Sequence, residues 1–168
     1  QIFNMSASFQ LPETGLDHQA AMPDVPAPEE LPDLEAHYRD AAERLPPAAR
    51  RMLEQRRPFE FRPVRPTDLL RREKSAPLKY IWFRAIDRLA DDEALHRCLL
   101  AYVSDFHLLD TALKPHGIAM ISPQLVIASV DHAMWFHRSV RVDDWLLYAV
   151  DSPSASGARG FTRGSVFA

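Results

Sequence analysis

The chain has 168 residues, 46% hydrophobic and 26% charged, with a formal net charge of −3; this is ordinary globular composition, enough for one core or one core plus an appendage, and it argues against disorder throughout. A slightly acidic chain has no general attraction for nucleic acid, and the basic run RRMLEQRR, diluted by Glu54, reads as a solvated helix face. One cysteine, Cys98, excludes an intramolecular disulfide and fits a reducing cytosol, and no run approaches the roughly 18 apolar residues of a membrane span.

In chain order, QIFNMSASFQ at residues 1–10 alternates like a strand already in progress, and no charged-then-apolar leader opens the chain. The far end, GFTRGSVFA, also stops inside strand-like alternation, so both ends read as cuts through structure. LPETGLDHQAAMPDVPAPEELPD concentrates proline and acid without either period and predicts a linker lying over a surface. From Leu34 to Arg57 the pattern is helical, and Pro46 and Pro47 should split it into two short helices. FEFRPV at Phe59 and KYIWFRAI at Lys79 read as strands, joined by a loop around PTDLLRREKSAP. Asp91 or Asp92 then caps a long helix reaching about Leu113 and closed by KPHG, where Gly117 can take a left-handed conformation. Its apolar residues go all round, so it must be enclosed; strand-like runs at Leu125–His137 and from Trp145 to about Ser152 can supply a sheet that wraps it. SPSASGARG reads as a strand bend or a bulged hairpin. There is no internal repeat. The fold class expected is α+β: a long helix packed in a curved, mostly antiparallel sheet, the hot-dog arrangement.

Few residues offer chemistry. In LVIASVDHAMWFHR, strand parity puts Ser129 on one face with Ile127, Asp131, Ala133 and Trp135, and His132 on the other. His132 and His137, an odd number apart, make a poor metal pair, and His96, His107 and His116 lack ligand spacing matched by a nearby acid. There is no nucleophile elbow, no phosphate-cradling glycine loop and no basic stripe interleaved with aromatics, so neither metal nor cofactor is called for. The aromatics of KYIWFRA and AMWFH, and Cys98, read as core packing. Asp105 stands out within LLAYVSDFHLLDTAL, because no residue at helical spacing pairs its charge, whereas Asp110 has Lys114 four residues on and reads as a rim ion pair. A buried carboxylate costs several kcal/mol unless well hydrogen-bonded. Asp105 is therefore either a structural acid satisfied by backbone donors or Ser104, or a catalytic group, and Ser129 taken alone reads as structural.

KYIWFRA, DDEALHRCLLAYVSDFHLLDTALKPHG, ASVDHAMWFHR and DDWLLYAVDSPSASGARGFTRG strongly resemble the C-terminal half of the bacterial acyl-CoA thioesterase II (TesB-type) family, and SASFQLPETGLDHQAAMPDVPAPEELP resembles that family's link between its two halves. The resemblance runs from about Ser6 to Phe167. It implies a double hot-dog enzyme that hydrolyses fatty acyl-CoA to free acid and CoA, with residues 1–10 as the last strand of the first hot dog, 11–58 as the link, and 59–168 as the second hot dog without its final strand. The family's catalytic aspartate falls on Asp105 and its hydroxyl residue on Ser129; its glutamine belongs to a strand beyond Ala168. A thioester carbonyl is electrophilic enough for direct attack by an aligned water, so no acyl-enzyme is required. In this reading Asp105 is buried, reaches Ser129 directly or through one water, and takes the water's proton. The alternative is a truncated module without catalysis that oligomerises or binds acyl-CoA; a hydratase is a poorer option because no Asp-to-His pairing is evident in SDFHLLD. A homo-oligomer is expected, because nearly all of one hot dog is absent.

Overall fold

The computed structural model describes residues 3–42, 45, 50, 57–66, 73–122 and 125–168. The basic run at residues 50–57, the second of the two short helices and the middle of the loop before Lys79 lie outside the described residues almost entirely.

Among the described residues, four strands form one antiparallel sheet in chain order: β1 (Phe59–Pro63), β2 (Leu78–Ala85), β3 (Leu146–Ser156) and β4 (Arg159–Phe167). Register pairs Phe61 with Phe83, Ile81 with Tyr148, and Val150 with Gly164. Strand alternation therefore sends Phe59, Phe61, Ile81, Phe83, Leu146, Tyr148 and Val150 to one face, where they form a single buried cluster with Leu100 and Val103 from the helical layer. Phe59, Ile81, Phe83 and Leu146 are at most 1% exposed, and each such side chain contributes about 1.5–3 kcal/mol through burial.

The linker covers part of the opposite face. Trp82 donates its indole N–H to Pro26 O at 3.0 Å and Arg62 donates to Pro28 O at 2.8 Å, while Leu34, which opens helix α1 (Leu34–Ala42), reaches the core. The stretch at residues 3–10, expected as a strand, is in no regular structure and is exposed. It has no ladder partner among the described residues, and a strand cannot exist without one.

The β3–β4 hairpin is tight. Gly157 and Ala158 both have positive φ (55° and 58°), as a two-residue turn matched to strand twist requires. Register slips between Asp151 and Ser154, where Pro153 has no N–H to offer to β4, while Ser152 N–H continues the ladder to β2 through Pro77 O. The small-residue run thus makes a bulged hairpin, as its composition suggests.

Helix α2 (Glu93–Ser104) starts where expected, with the Asp92 carboxylate accepting from the N–H groups of Ala94 (2.9 Å) and Leu95 (3.3 Å). It does not run on to Leu113. Asp105–His107 form a turn, and α3 (Leu108–Leu113) follows, closed by a 3-10 turn and Gly117 at φ 63°. The break has a backbone cause, since His107 is left-handed (φ 66°) and a left-handed residue cannot carry the helical ladder forward. Nor is α2 enclosed. His96, Leu100, Val103 and Ser104 are buried, whereas Tyr102 is 53% exposed and Cys98, expected in the core, is exposed. The reason lies in residues 125–137, which were expected as a wrapping strand but are in no regular structure, leaving Val126 and Val130 almost fully exposed. Four strands cover only one side of the helix.

Loop 141–144 is fastened by a buried carboxylate. Asp143 accepts from the Leu89 N–H at 2.9 Å and from Arg141 Nε and Nη2, each at 3.1 Å. Burial by itself raises its pKa, but the Leu89 N–H and the Arg141 guanidinium outweigh that and hold it at about 2, below the ordinary 3.8. A depressed folded-state pKa means stability that is complete above the unfolded value and is lost as pH falls through the folded one. Thermal unfolding of the wild type is therefore expected to drop more steeply from about pH 4 to about pH 2 than that of Asp143→Asn. Equal slopes would show that this carboxylate does not couple protonation to folding.

Candidate active site

The broken end of α2 places Asp105 where it has no helical neighbour of opposite charge but can meet residues 125–137. Ser129 Oγ donates to Asp105 Oδ1 at 2.8 Å, so of the two arrangements expected, direct or through one water, the contact is direct. Asp105 itself is not buried, its side chain being 47% exposed, contrary to expectation. The turn at residues 105–107 lifts it out of the helix's packed face, where Ser129 and His132 meet it.

Sequence parity missed a third participant. His132 Nδ1 lies 3.7 Å from Asp105 Oδ1, and its Nε2 lies 2.9 Å from Ser104 Oγ. In a regular strand, residues three apart point to opposite faces. Residues 129–132 are not in a strand, so both side chains reach the same carboxylate. The signal available was the Ser-x-x-His spacing, useful only once the strand assignment is dropped.

Ser104 fixes the floor of this group. It is buried, its hydroxyl lies 2.8 Å from Ala101 O and 3.1 Å from Met134 Sδ, and its carbonyl accepts from the Tyr148 hydroxyl at 2.8 Å. Burial, then the charge of Asp105, pushes the Tyr148 phenol well above its usual range, which keeps it a donor. Tyr148 belongs to β3, so the end of α2 is tied to the sheet. Gly164 on β4 leaves the space the ring needs, since a Cβ there would collide with it.

A second polar cluster holds the other side of the turn. Lys79, 8% exposed on the inner face of β2, donates to Asp110 Oδ2 at 2.6 Å and lies 3.0 Å from His107 Nδ1. Asp110 is therefore not the rim partner of Lys114. The competing cation is far away in sequence but adjacent in space. Burial, followed by the charges of Lys79 and Arg57, drives the His107 pKa well down, so the ring is neutral and Nδ1 accepts from the ammonium. Tyr38 is pushed up to about 12 by burial and then by the charge of Asp110. Among the described residues, His107 Nε2 and Asp110 Oδ1 are buried without a partner. Among the described residues no group of three or more His, Cys, Asp or Glu is arranged to hold a metal ion, and no helix is long and apolar enough to cross a membrane.

What remains is a half-exposed carboxylate with a hydroxyl on one oxygen, an arrangement suited to orienting a water and accepting a proton. The acyl-CoA thioesterase family profile matches residues 49–168. The chain belongs to the acyl-CoA thioesterase family. It is 37% identical over 166 residues to acyl-CoA thioesterase 2 of Haemophilus influenzae, covering 99% of this chain and 58% of that protein. It is 39% identical over 174 residues to acyl-coenzyme A thioesterase 8 of Homo sapiens, covering 99% of this chain and 54% of the relative. The crystal structure of an acyl-CoA thioesterase II from Mycobacterium marinum superposes with a TM-score of 0.66 at 36% identity, over 94% of this chain and 53% of that one. This member of the family thus has the α+β hot-dog fold expected from its sequence, and it spans about half the length of the relatives it matches.

Proposed function

We propose that this chain supplies the water-activating half of a site that hydrolyses fatty acyl-CoA to free acid and CoA. The observation that carries the reading is the Ser129–Asp105 hydrogen bond of 2.8 Å at a half-exposed carboxylate. Ser129 gives its proton to Oδ1, which leaves its lone pairs and Asp105 Oδ2 to accept the two hydrogens of one water. The water oxygen attacks the thioester carbonyl carbon as its proton passes to Asp105. The tetrahedral oxyanion then collapses, the carbon–sulfur bond breaks, and Asp105 returns the proton to the CoA thiolate. A correctly held water and base replace a bimolecular encounter by a positioned one, which is where such a site gains its rate. At the full length of the relatives, residues 59–168 form the second hot dog and residues 11–58 the link from the first. A lone exposed Cys98 suits a cytosolic setting. The test is release of CoA thiol from saturating decanoyl-CoA. Enzyme-dependent release supports the reading, and none at the relatives' full length overturns it.

The partner surface follows from the same layout. Tyr102, Val126, Val130, Trp135 and Phe161 are all more than half exposed, and exposed apolar side chains favour association. The 168-residue chain is expected to pair with a second copy, since twofold association is the commonest closed solution. Light scattering at micromolar concentration should report at least a dimer. A stable mass of 19.1 kDa across a dilution series would defeat this.

A further inference from the structure

The ring of His132 bridges two residues at the end of α2, and hydrogen-bond accounting restricts where its proton sits. Ser104 has one hydroxyl hydrogen and three acceptors in reach: Ala101 O at 2.8 Å, His132 Nε2 at 2.9 Å and Met134 Sδ at 3.1 Å. If that hydrogen goes to Nε2, the ring carries its own proton on Nδ1, facing Asp105. If it goes to Ala101 O or Met134 Sδ, Nε2 must donate to Ser104, and the neutral ring then turns its Nδ1 lone pair towards the carboxylate. A bare lone pair 3.7 Å from carboxylate Oδ1 is the one arrangement in which both groups repel. The Tyr148 phenol at this end of the helix is committed as a donor to Ser104 O. Ser104 and Met134 are uncharged. Of the two neutral tautomers, the one with its proton on Nδ1 lets Nε2 accept from Ser104 and faces the carboxylate favourably, whereas the other sets a lone pair against Oδ1.

We propose that His132 is the positioning residue of Asp105: its Nδ1–H faces Oδ1, which Ser129 also engages, and the two together orient the carboxylate so that Oδ2 is left for water. Oδ2 has no partner among the described residues, and the carboxylate is half exposed, so without these two contacts it would rotate freely. His132 does not touch the reacting atoms and acts through Asp105. Its catalytic consequence rests on the thioesterase reading, whereas its proton placement does not.

The experiment has two arms. In the first, ring-nitrogen NMR of the histidine-labelled chain reads the protonation of His132, assigned by its loss in His132→Ala. A proton on Nδ1 is expected, and an unprotonated Nδ1 with Nε2–H overturns the proposal. In the second, decanoyl-CoA hydrolysis is measured for wild type, His132→Ala and His132→Asn, each checked for unchanged thermal unfolding. Misplacing a reacting group by a fraction of an ångström to an ångström costs up to about 100-fold, so His132→Ala should lose about 10- to 100-fold in kcat with KM little changed. His132→Asn, whose amide N–H replaces Nδ1–H, should recover most of the loss. A kcat in His132→Ala equal to wild type overturns the proposal. If wild type itself does not hydrolyse the substrate, that counts against the thioesterase reading, and the ring proton then decides the role of His132 by itself.

Discussion

Asp105→Asn is expected to lower acyl-CoA hydrolysis by about 10²–10⁴-fold, the usual loss when a general base is removed. The substitution keeps the shape of the side chain and an oxygen for the Ser129 hydroxyl, whose bond to Asp105 is 2.8 Å, so the local fold should persist. What disappears is the group proposed to take the proton from water. Turnover rather than substrate affinity should fall, because a residue acting on the proton in transit contributes chiefly in the transition state. Asp91→Asn, at a fully exposed carboxylate paired with Arg141, serves as the remote comparison. Comparable turnover in Asp105→Asn and wild type would remove Asp105 from the chemistry.

Asp110→Asn should be the more damaging change to stability. Its carboxylate is the charge partner of Lys79, whose side chain is only 7% exposed and whose other polar contact is the neutral His107 ring. Removing one member of a largely buried pair strands the other charge, at a cost of about 3 kcal/mol. The double substitution Lys79→Met with Asp110→Asn should recover most of that, because no buried charge is then left unpaired. Denaturant midpoints of the two variants and wild type check this, and an unchanged midpoint in Asp110→Asn would show that Lys79 finds water or another partner. The same pair anchors the left-handed His107 that breaks the helix. Asp110→Asn is therefore expected to reduce activity indirectly, through the turn that presents Asp105.

The parts of this architecture that were legible in the sequence are those governed by local rules. FEFRPV and KYIWFRAI alternate and are buried on one face, the Asp92 cap depends on the next three residues, and Gly157–Ala158 makes its own turn. The site was legible for a related reason. Asp105 has no partner at helical spacing, which pointed to a non-local one, and the resemblance named Ser129. Features set by distant residues were not legible. The helix break depends on His107 meeting Lys79, 28 positions away, and a run that is apolar all round carries no mark of it. Asp110 was matched to Lys114 because a local search sees four residues ahead but not 31 behind. In residues 125–137 alternation alone suggested a strand, yet alternation assigns faces only where a neighbouring strand supplies the ladder, and that misassignment concealed His132.

The most direct measurement is the intact mass of the protein sampled during turnover of decanoyl-CoA, with released CoA thiol followed in parallel. If Asp105 activates water and Ser129 only helps to hold it, CoA accumulates while the chain stays at its unmodified 19.1 kDa throughout. A decanoyl adduct that forms and decays at the turnover rate, above all one lost in Ser129→Ala, would contradict direct attack by water and make the hydroxyl the nucleophile.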